Sequence, residues 1–265
     1  MFPDYHTHTP LCHHAEGLPR EYAAAAQRLG LPEIGISDHS PMKSYFDDWR
    51  MALEDFPNYL EMVEAARQEF PLLPIRLGLE VDYLEGGESW IEELSQMADF
   101  DYLIGSVHYI APGWDVDNPR HLSKFSEHGV EEIWTRYFEV YEKMIRTRLF
   151  DFVGHPDLPK KFGHRPEGDL RRFYEPVIQA LADTGTAYEI NTAGLRKDAR
   201  ELYPADGFVI LAAQAGVPLL INSDAHHPDE VGFGFAEAMA VAKEAGYTGT
   251  LRYEKRKARE VAFIS

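Results

Sequence analysis

Residues 4–39 read DYHTHTPLCHHAEGLPREYAAAAQRLGLPEIGISDH, and the order of their elements decides the fold. Asp4 to His6 reads as the end of a short first strand, and it delivers His6 and His8. Leu18-Pro19-Arg20 then opens an alanine-rich helix that stops at Gly30, with proline near its start and glycine just past its end. Glu33 to Ser37 is a second strand that runs straight into Asp38-His39. Strands that alternate with helices in this way imply a parallel sheet.

The alternation continues to the end of the chain. A helix is expected over Asn58 to Gln68, a strand over Ile75 to Val81 and a helix over Trp90 to Met97. Tyr102 to Val107 is a fourth strand. Val130 to Leu149 is a long amphipathic helix with Ile133, Tyr137, Val140, Tyr141 and Met144 on one stripe. Strands at Phe150 to Gly154, Ala187 to Ile190 and Pro218 to Asn222 follow, each trailed by a helix: Leu170 to Asp183, Phe208 to Ala215 and Phe235 to Ala245. No internal repeat, low-complexity tract or interdomain linker interrupts them. The expected fold is α/β, with the seven repeats closed into a barrel as one domain over residues 1–265.

Composition narrows the setting. Hydrophobic residues make up 45% of the chain, enough for a sizeable core. Cys12 is the single cysteine, so no disulfide can form within the chain, which fits a reducing compartment. No apolar run reaches the ~18 residues of a membrane span. The first residues, Met-Phe-Pro-Asp-Tyr-His, lack the basic and apolar regions of a signal peptide, and cytoplasm is the expected location. A formal charge of −18 repels a phosphate backbone and argues against a nucleic-acid partner.

The chemistry sits where each strand ends. His6, His8 and then His14 follow the first strand, and Asp38-His39 the second. The third holds Glu80; the fourth leads to His108, the fifth to His155 and Asp157, the sixth to Asn191, and the seventh to Asp224 and His226. Taken singly, each has an ordinary explanation. His6-x-His8 could be a surface pair, Asp38 a helix cap, His108 or His155 a core histidine with satisfied nitrogens, and Glu80 half of a buried ion pair. Jointly those explanations fail, because seven of the twelve histidines keep phase with the strand ends, and surface histidines have no reason to. In a (β/α) barrel the C-terminal strand ends converge on one face, where active sites sit. A carboxylate inside the apolar run Leu77-Gly78-Leu79-Glu80-Val81 is costly unless paired or bound to metal. Imidazole and carboxylate suit zinc, manganese and iron(II), and nine candidate ligands suggest three divalent ions. His13, His121, His128, His164 and His227 are assigned no metal.

In this order the motifs resemble the PHP (polymerase and histidinol phosphatase) superfamily: His-x-His, Asp-His, a strand glutamate, two separated histidines and a late Asp-x-His. Gly105-Ser106-Val107-His108-Tyr109, Gly154-His155-Pro156-Asp157-Leu158 and Glu189-Ile190-Asn191-Thr192-Ala193-Gly194-Leu195-Arg196 are similar to its histidinol-phosphate phosphatase branch. The likeness runs from His6 to His226. It implies a single-domain, distorted (β/α)7 TIM-like barrel with a trinuclear centre. One ion would take His6, His8, Glu80 and Asp224. A second would share Glu80 with His108 and His155, and a third would take His14, His39 and His226. His14 is preferred to His13 because its offset from His6 matches the family.

The implied reaction is hydrolysis of L-histidinol phosphate to L-histidinol and phosphate, late in histidine biosynthesis, by a metal-bridging hydroxide attacking phosphorus in line. Zinc, iron or manganese, or a mixture, would serve. Arg196 is the first choice to bind phosphate and Lys161 the second, with Lys160 as its substitute; Ser106 is a further substrate contact. Asp38 is a candidate proton donor, or else orients a ligand imidazole. Asp115 and Asp117 could meet the ammonium of the substrate, and Tyr45, Phe46 or Trp49 its ring. Self-association is left open. The alternative within the family is another small phosphomonoester or nucleic-acid ends. Amidohydrolases share His-x-His but usually bridge two metals with a strand lysine, where this chain has Glu80. A structural or storage site would need far fewer ligands.

Overall fold

The structure is a computed structural model and describes residues 2–263. Its helices are α1 (Pro19–Leu29), α2 (Phe56–Glu69), α3 (Glu88–Ser95), α4 (Ser123–His128), α5 (Val130–Arg146), α6 (Arg171–Thr184), α7 (Asp206–Gln214) and α8 (Phe235–Ala245). The strands are short: β1 (Ile34–Ile36), β2 (Ile75–Leu77), β3 (Glu80–Asp82), β4 (Ile104–Ser106), β5 (Tyr109–Ala111), β6 (Trp114–Asp115), β7 (Phe152–Val153), β8 (Ala187–Asn191), β9 (Leu219–Asn222), β10 (Gly249–Glu254) and β11 (Lys257–Ala262). Every helix expected from periodicity is present, with ends shifted by a few residues. The hairpins β5–β6 and β10–β11 and the short α4 were not anticipated.

The fold is α/β and TIM-like. Strands β3, β4, β7, β8 and β9 pair in parallel in that order, and β1 pairs in parallel with β2. β2 and β3 are one expected strand broken at Gly78-Leu79. Single parallel bridges carry the pairing further, from Asp4 to Ile34, from His39 to Glu80 and from Thr7 to Ala225. At the last of these seams the Ala225 amide donates to the His6 carbonyl at 3.1 Å, and the His8 amide to the Ala225 carbonyl at 2.9 Å.

The expected first strand is reduced to those isolated bridges for a visible reason. Side-chain acceptors take the ladder's place: the Tyr5 amide donates to Asn222 Oδ1 at 2.8 Å, and the Thr7 amide to Ser37 Oγ at 3.2 Å.

Inside the ring, Tyr5, Tyr102, Ile104, Phe152, Ala187, Leu220 and Tyr253 form a packed cluster. Tyr253 comes from the β10–β11 hairpin; its amide bonds the Tyr5 hydroxyl at 3.0 Å and its own hydroxyl donates to the Asp151 carbonyl at 2.9 Å. The hairpin thus plugs the end where the strands begin and leaves the other end free for chemistry. A second, larger core lies between the strands and the helices. It takes Ile133, Trp134, Tyr137, Phe138, Tyr141, Met144 and Ile145 from α5. Among the described residues no helix is long and apolar enough to cross a membrane.

Candidate metal centre

Each side chain singled out as a ligand leaves the strand end that carries it toward one basin. His6 and His8 lie on the bridged segment 4–8, His39 follows β1, and Glu80 opens β3. His108 follows β4, His155 follows β7, and Asp224 and His226 follow β9. Two of these positions are bent sharply. His155 has φ 29° and Asp224 has φ 52°, left-handed backbone that costs energy for a residue with a side chain and that clusters at functional sites. Packing holds the first bend in place, since the hydroxyls of Tyr141 and Tyr137 on α5 donate to the Gly154 and His155 carbonyls at 2.7 and 3.1 Å.

Glu80 stands at the centre and is 1% exposed. Its Oε2 lies 2.9 Å from His39 Nδ1, 3.3 Å from His6 Nε2 and 3.7 Å from His8 Nε2; its Oε1 lies 2.9 Å from His155 Nε2 and 3.7 Å from His108 Nε2. Asp224 Oδ1 lies 3.1 Å from His8 Nε2 and 3.7 Å from His6 Nε2. On the far side His226 and His14 face each other, Nε2 to Nε2, at 3.0 Å. Ligand-capable atoms fall into tight groups: His6, His8 and Glu80; Glu80, His108 and His155; and His8, His39 and His226. The third group holds His8 where the family pattern implied His14, whose ring stands beside it at 4.8 Å from that of His226. Cys12 and Asp38 form a further group with His8.

The donor set fits divalent cations. His6 Nε2, His39 Nδ1 and Glu80 Oε2 are buried with no hydrogen-bond partner, and an orphaned buried polar atom ordinarily costs about 1–3 kcal/mol. Such atoms aimed at one another suit a shared divalent cation. The electrostatics agree. Burial alone would raise the Glu80 carboxyl, yet the positive fields of His6 and His108 outweigh it and hold it well below the usual range. Burial, reinforced by His8, pushes His226 well below its ordinary value, and burial does the same to His39; both present neutral imidazoles. Burial pulls His6 down too, but Glu189, Asp224 and Glu80 outweigh it and raise it well above. Cations that bind there must displace protons.

Two buried carboxylates behind the ligands escaped the sequence reading. Asp82 Oδ1 meets His108 Nδ1 at 2.8 Å, and its Oδ2 accepts from Arg50 Nη2 at 2.9 Å. Glu189 meets His6 Nδ1 at 3.0 Å. Both stand in apolar strands, as Glu80 does, and a carboxylate there is costly for the same reason. Asn191 and Asp157, which end or follow strands, do supporting work. Asn191 Nδ2 donates to Asp224 Oδ2 at 3.1 Å; Asp157 accepts from the Ala205 amide at 2.9 Å and pairs with Lys160 at 2.8 Å.

A cavity of about 300 Å³ opens over the basin. Opposite the ligands its wall carries Trp49, Asp115, Asp117, Lys161, Lys197 and Tyr203. Lys161 donates to Asp117 Oδ2 at 2.9 Å. Burial works against that carboxylate, but Lys161 and His108 hold it at about 2.

Other expected contacts lie elsewhere. Lys160 is buried and donates to the Leu202 carbonyl at 2.7 Å. Arg196 lies behind Asp224: its Nη2 donates to the carbonyls of Ser223 and Asp224, at 3.0 Å each, and its Nε faces Glu230 at 3.1 Å. One arm of its fork, Nη2, thus holds the Asp224 turn, while Nη1 and Nε are buried without a hydrogen-bond partner. Ser106 is fully buried and donates to Glu80 Oε1 at 2.7 Å, so it faces that carboxylate and not the cavity. Asp38 is fully buried as well; it accepts from Thr9 and from the His39 amide, and lies 3.5 Å from His8 Nδ1, a position that suits orienting an imidazole and not reaching a substrate. Of the three aromatics, Trp49 reaches the cavity and stands edge-on to His39, while Tyr45 is 86% exposed. Lys197 and Tyr203 went unmarked because loop residues carry no periodic signal.

A TIM-like α/β fold whose strand ends gather histidines and carboxylates into one basin defines a class of metal-dependent hydrolases. The model of the PHP domain matches residues 4–193, and the chain belongs to that family. It is 44% identical over 255 residues to the "Probable histidinol-phosphatase" of Deinococcus radiodurans, covering 95% of this chain and 97% of the relative. To the histidinol-phosphatase of Bacillus subtilis it is 28% identical over 260 residues, covering 88% and 96%. Its fold matches the crystal structure of histidinol phosphate phosphatase from Lactococcus lactis, complexed with zinc, L-histidinol and phosphate. That match has a TM-score of 0.84 at 23% identity and covers 98% of this chain and 100% of the other.

Proposed function

We propose that this chain hydrolyses L-histidinol phosphate to L-histidinol and phosphate, as a cytoplasmic enzyme holding three divalent ions. The observation that carries the reading is the convergence of five imidazoles on the two oxygens of Glu80, with Asp224 beside them, at the floor of a cavity sized for a small phosphomonoester. His6, His8, Glu80 and Asp224 would hold one ion, Glu80, His108 and His155 a second, and His39 and His226, with His8 or His14, a third. Zinc, iron(II) and manganese all suit this donor set. When bound, such ions supply Lewis acidity toward phosphoryl oxygens and make water acidic enough to act near neutral pH.

The chain's own residues divide the remaining work. Glu80 and Asp224 set the floor against which the phosphoryl group is placed. Lys161 and Lys197 bring positive charge to the cavity wall, where phosphoryl oxygens need it. Asp117, ionised across the physiological range, is available to the substrate's ammonium, with Asp115 next to it. Trp49 offers a flat apolar wall for an imidazole ring.

The test is phosphate release from histidinol phosphate against a panel of sugar and nucleotide monophosphates, with protein loaded with zinc, manganese or iron and a His39→Ala control. A preference of about a hundredfold or more, equivalent to ~2.7 kcal/mol, lost in the control, is expected. Metal-dependent release with another favourite would keep the centre and discard the substrate.

A further inference from the structure

Glu189, in the middle of β8, is fully buried, and the catalytic groups named above do not include it. Its two oxygens meet four groups. Oε1 accepts from the His155 amide at 3.0 Å and from Asn191 Nδ2 at 2.7 Å, and Oε2 accepts from Asn222 Nδ2 at 2.8 Å. His6 Nδ1 lies 3.0 and 3.1 Å from the two oxygens.

The directions of these bonds can be worked out. Asn191 Oδ1 accepts from the Ala193 amide at 2.9 Å, and Asn222 Oδ1 accepts from the Tyr5 amide at 2.8 Å. Each asparagine oxygen is therefore committed, and each NH₂ must point at Glu189. A carboxylate ringed by donors can only accept. His6 Nδ1 must then be an N–H, which leaves Nε2, 3.3 Å from Glu80 Oε2 and 3.7 Å from Asp224 Oδ1, as the nitrogen that gives up its proton to a cation.

We infer that Glu189 is a positioning residue that fixes the His6 tautomer, so that Nε2 is free to ligate, and that through the His155 amide and Asn191 it also sets the turns bearing His155 and Asp224. The inference rests on reading the basin as a metal centre. One buried carboxylate thus reaches ligands of two ions. A glutamine in its place would turn an NH₂ toward a ring of donors. The relief open to that clash is for His6 to rotate its proton to Nε2, facing the cation.

The test measures zinc. Stoichiometry by elemental analysis and affinity by competition with a chromophoric chelator are compared for the wild type, Glu189→Gln and Glu189→Asp. Expected is a loss of about 10–100-fold in affinity at one or two sites in Glu189→Gln, the remaining site unmoved, and partial recovery in Glu189→Asp, which keeps the charge. Equal affinities in the wild type and Glu189→Gln would overturn the inference and leave the metal centre standing. A wild type that takes up no zinc would bring down both.

If Glu189→Gln does not fold, nitrogen-15 spectra of the zinc-loaded wild type decide. A His6 ring protonated at Nδ1 and metal-bound through Nε2 supports the assignment, and the opposite tautomer overturns it.

Discussion

Glu80 shows how much a single residue must do here. Four of its five neighbouring imidazoles come from different strand ends, and no arrangement of hydrogen bonds satisfies them all. Shared cations would. Glu80→Gln keeps the shape and removes the charge. Elemental analysis is expected to show the loss of at least one ion per chain. Phosphatase activity should fall by more than the about 10–100-fold typical of losing a mere supporting contact. Full metal content and full activity in that variant would mean that Glu80 bridges nothing. Residues like this were legible in the sequence because their chemistry conflicts with their surroundings: a carboxylate in an apolar strand demands either a cationic partner or a metal. Asp82 and Glu189 raised the same conflict and went unread. The roles expected of Ser106 and Arg196 differ from what their positions support, and of the two offered for Asp38 its position favours orienting an imidazole. Sequence places a residue at a strand end but does not say whether it looks into the cavity or supports a neighbour that does.

At the scale of elements, alternation carried the prediction and length limited it. Helices were legible because 3.6-residue periodicity persists over eight or more positions. The strands that carry the candidate ligands are two to four residues each, too short for periodicity, and were found by the polar residues that end them. The break between β2 and β3 at Gly78-Leu79 was invisible, since nothing in Ile75 to Val81 announces it. Packing does require the glycine there. Tyr102 fills the middle of the ring, and a Cβ at Gly78 would run into its ring carbons, just as a Cβ at Gly35 would run into its hydroxyl. Gly78→Ala is therefore expected to destabilise the fold by about 1–3 kcal/mol, read from the urea midpoint. A double-mutant cycle separates the two sites. Tyr102→Phe should recover part of the loss in Gly35→Ala, where the hydroxyl is nearest, and little of it in Gly78→Ala, where the ring itself is in the way. Equal recovery at both positions would contradict this picture of the interior. The C-terminal hairpin, whose Tyr253 completes the same cluster, was missed because an alternating strand pair at the end of a βα series has no place in the repeat that guided the reading.

Across the whole molecule, a charge of −18 and a basin of facing carboxylates and imidazoles make stability depend on cations. Ligands that bind the folded chain and not the unfolded one stabilise it by mass action, by about 4 kcal/mol for one site at a thousandfold excess over Kd. For a chain of this size each kcal/mol moves the melting temperature by roughly 2–4 °C. Chelation of the metal-loaded protein is therefore expected to lower its melting temperature by on the order of 10 °C, and re-addition of zinc or manganese to restore it. The direction is not obvious in advance. Removing cations leaves carboxylates facing one another, but it also lets protons settle between them and the raised imidazoles of His6 and His8. Those protons soften the loss. They cannot abolish it, because a proton links one donor to one acceptor, whereas a divalent cation gathers several at once and neutralises twice the charge. Calorimetry on protein shown by elemental analysis to be stripped and then reloaded measures the difference directly. A melting temperature that did not move on stripping would mean that the basin is held rigid by its supports alone, with Glu189, Asp82 and Asp38 sufficient to keep the ligands in place.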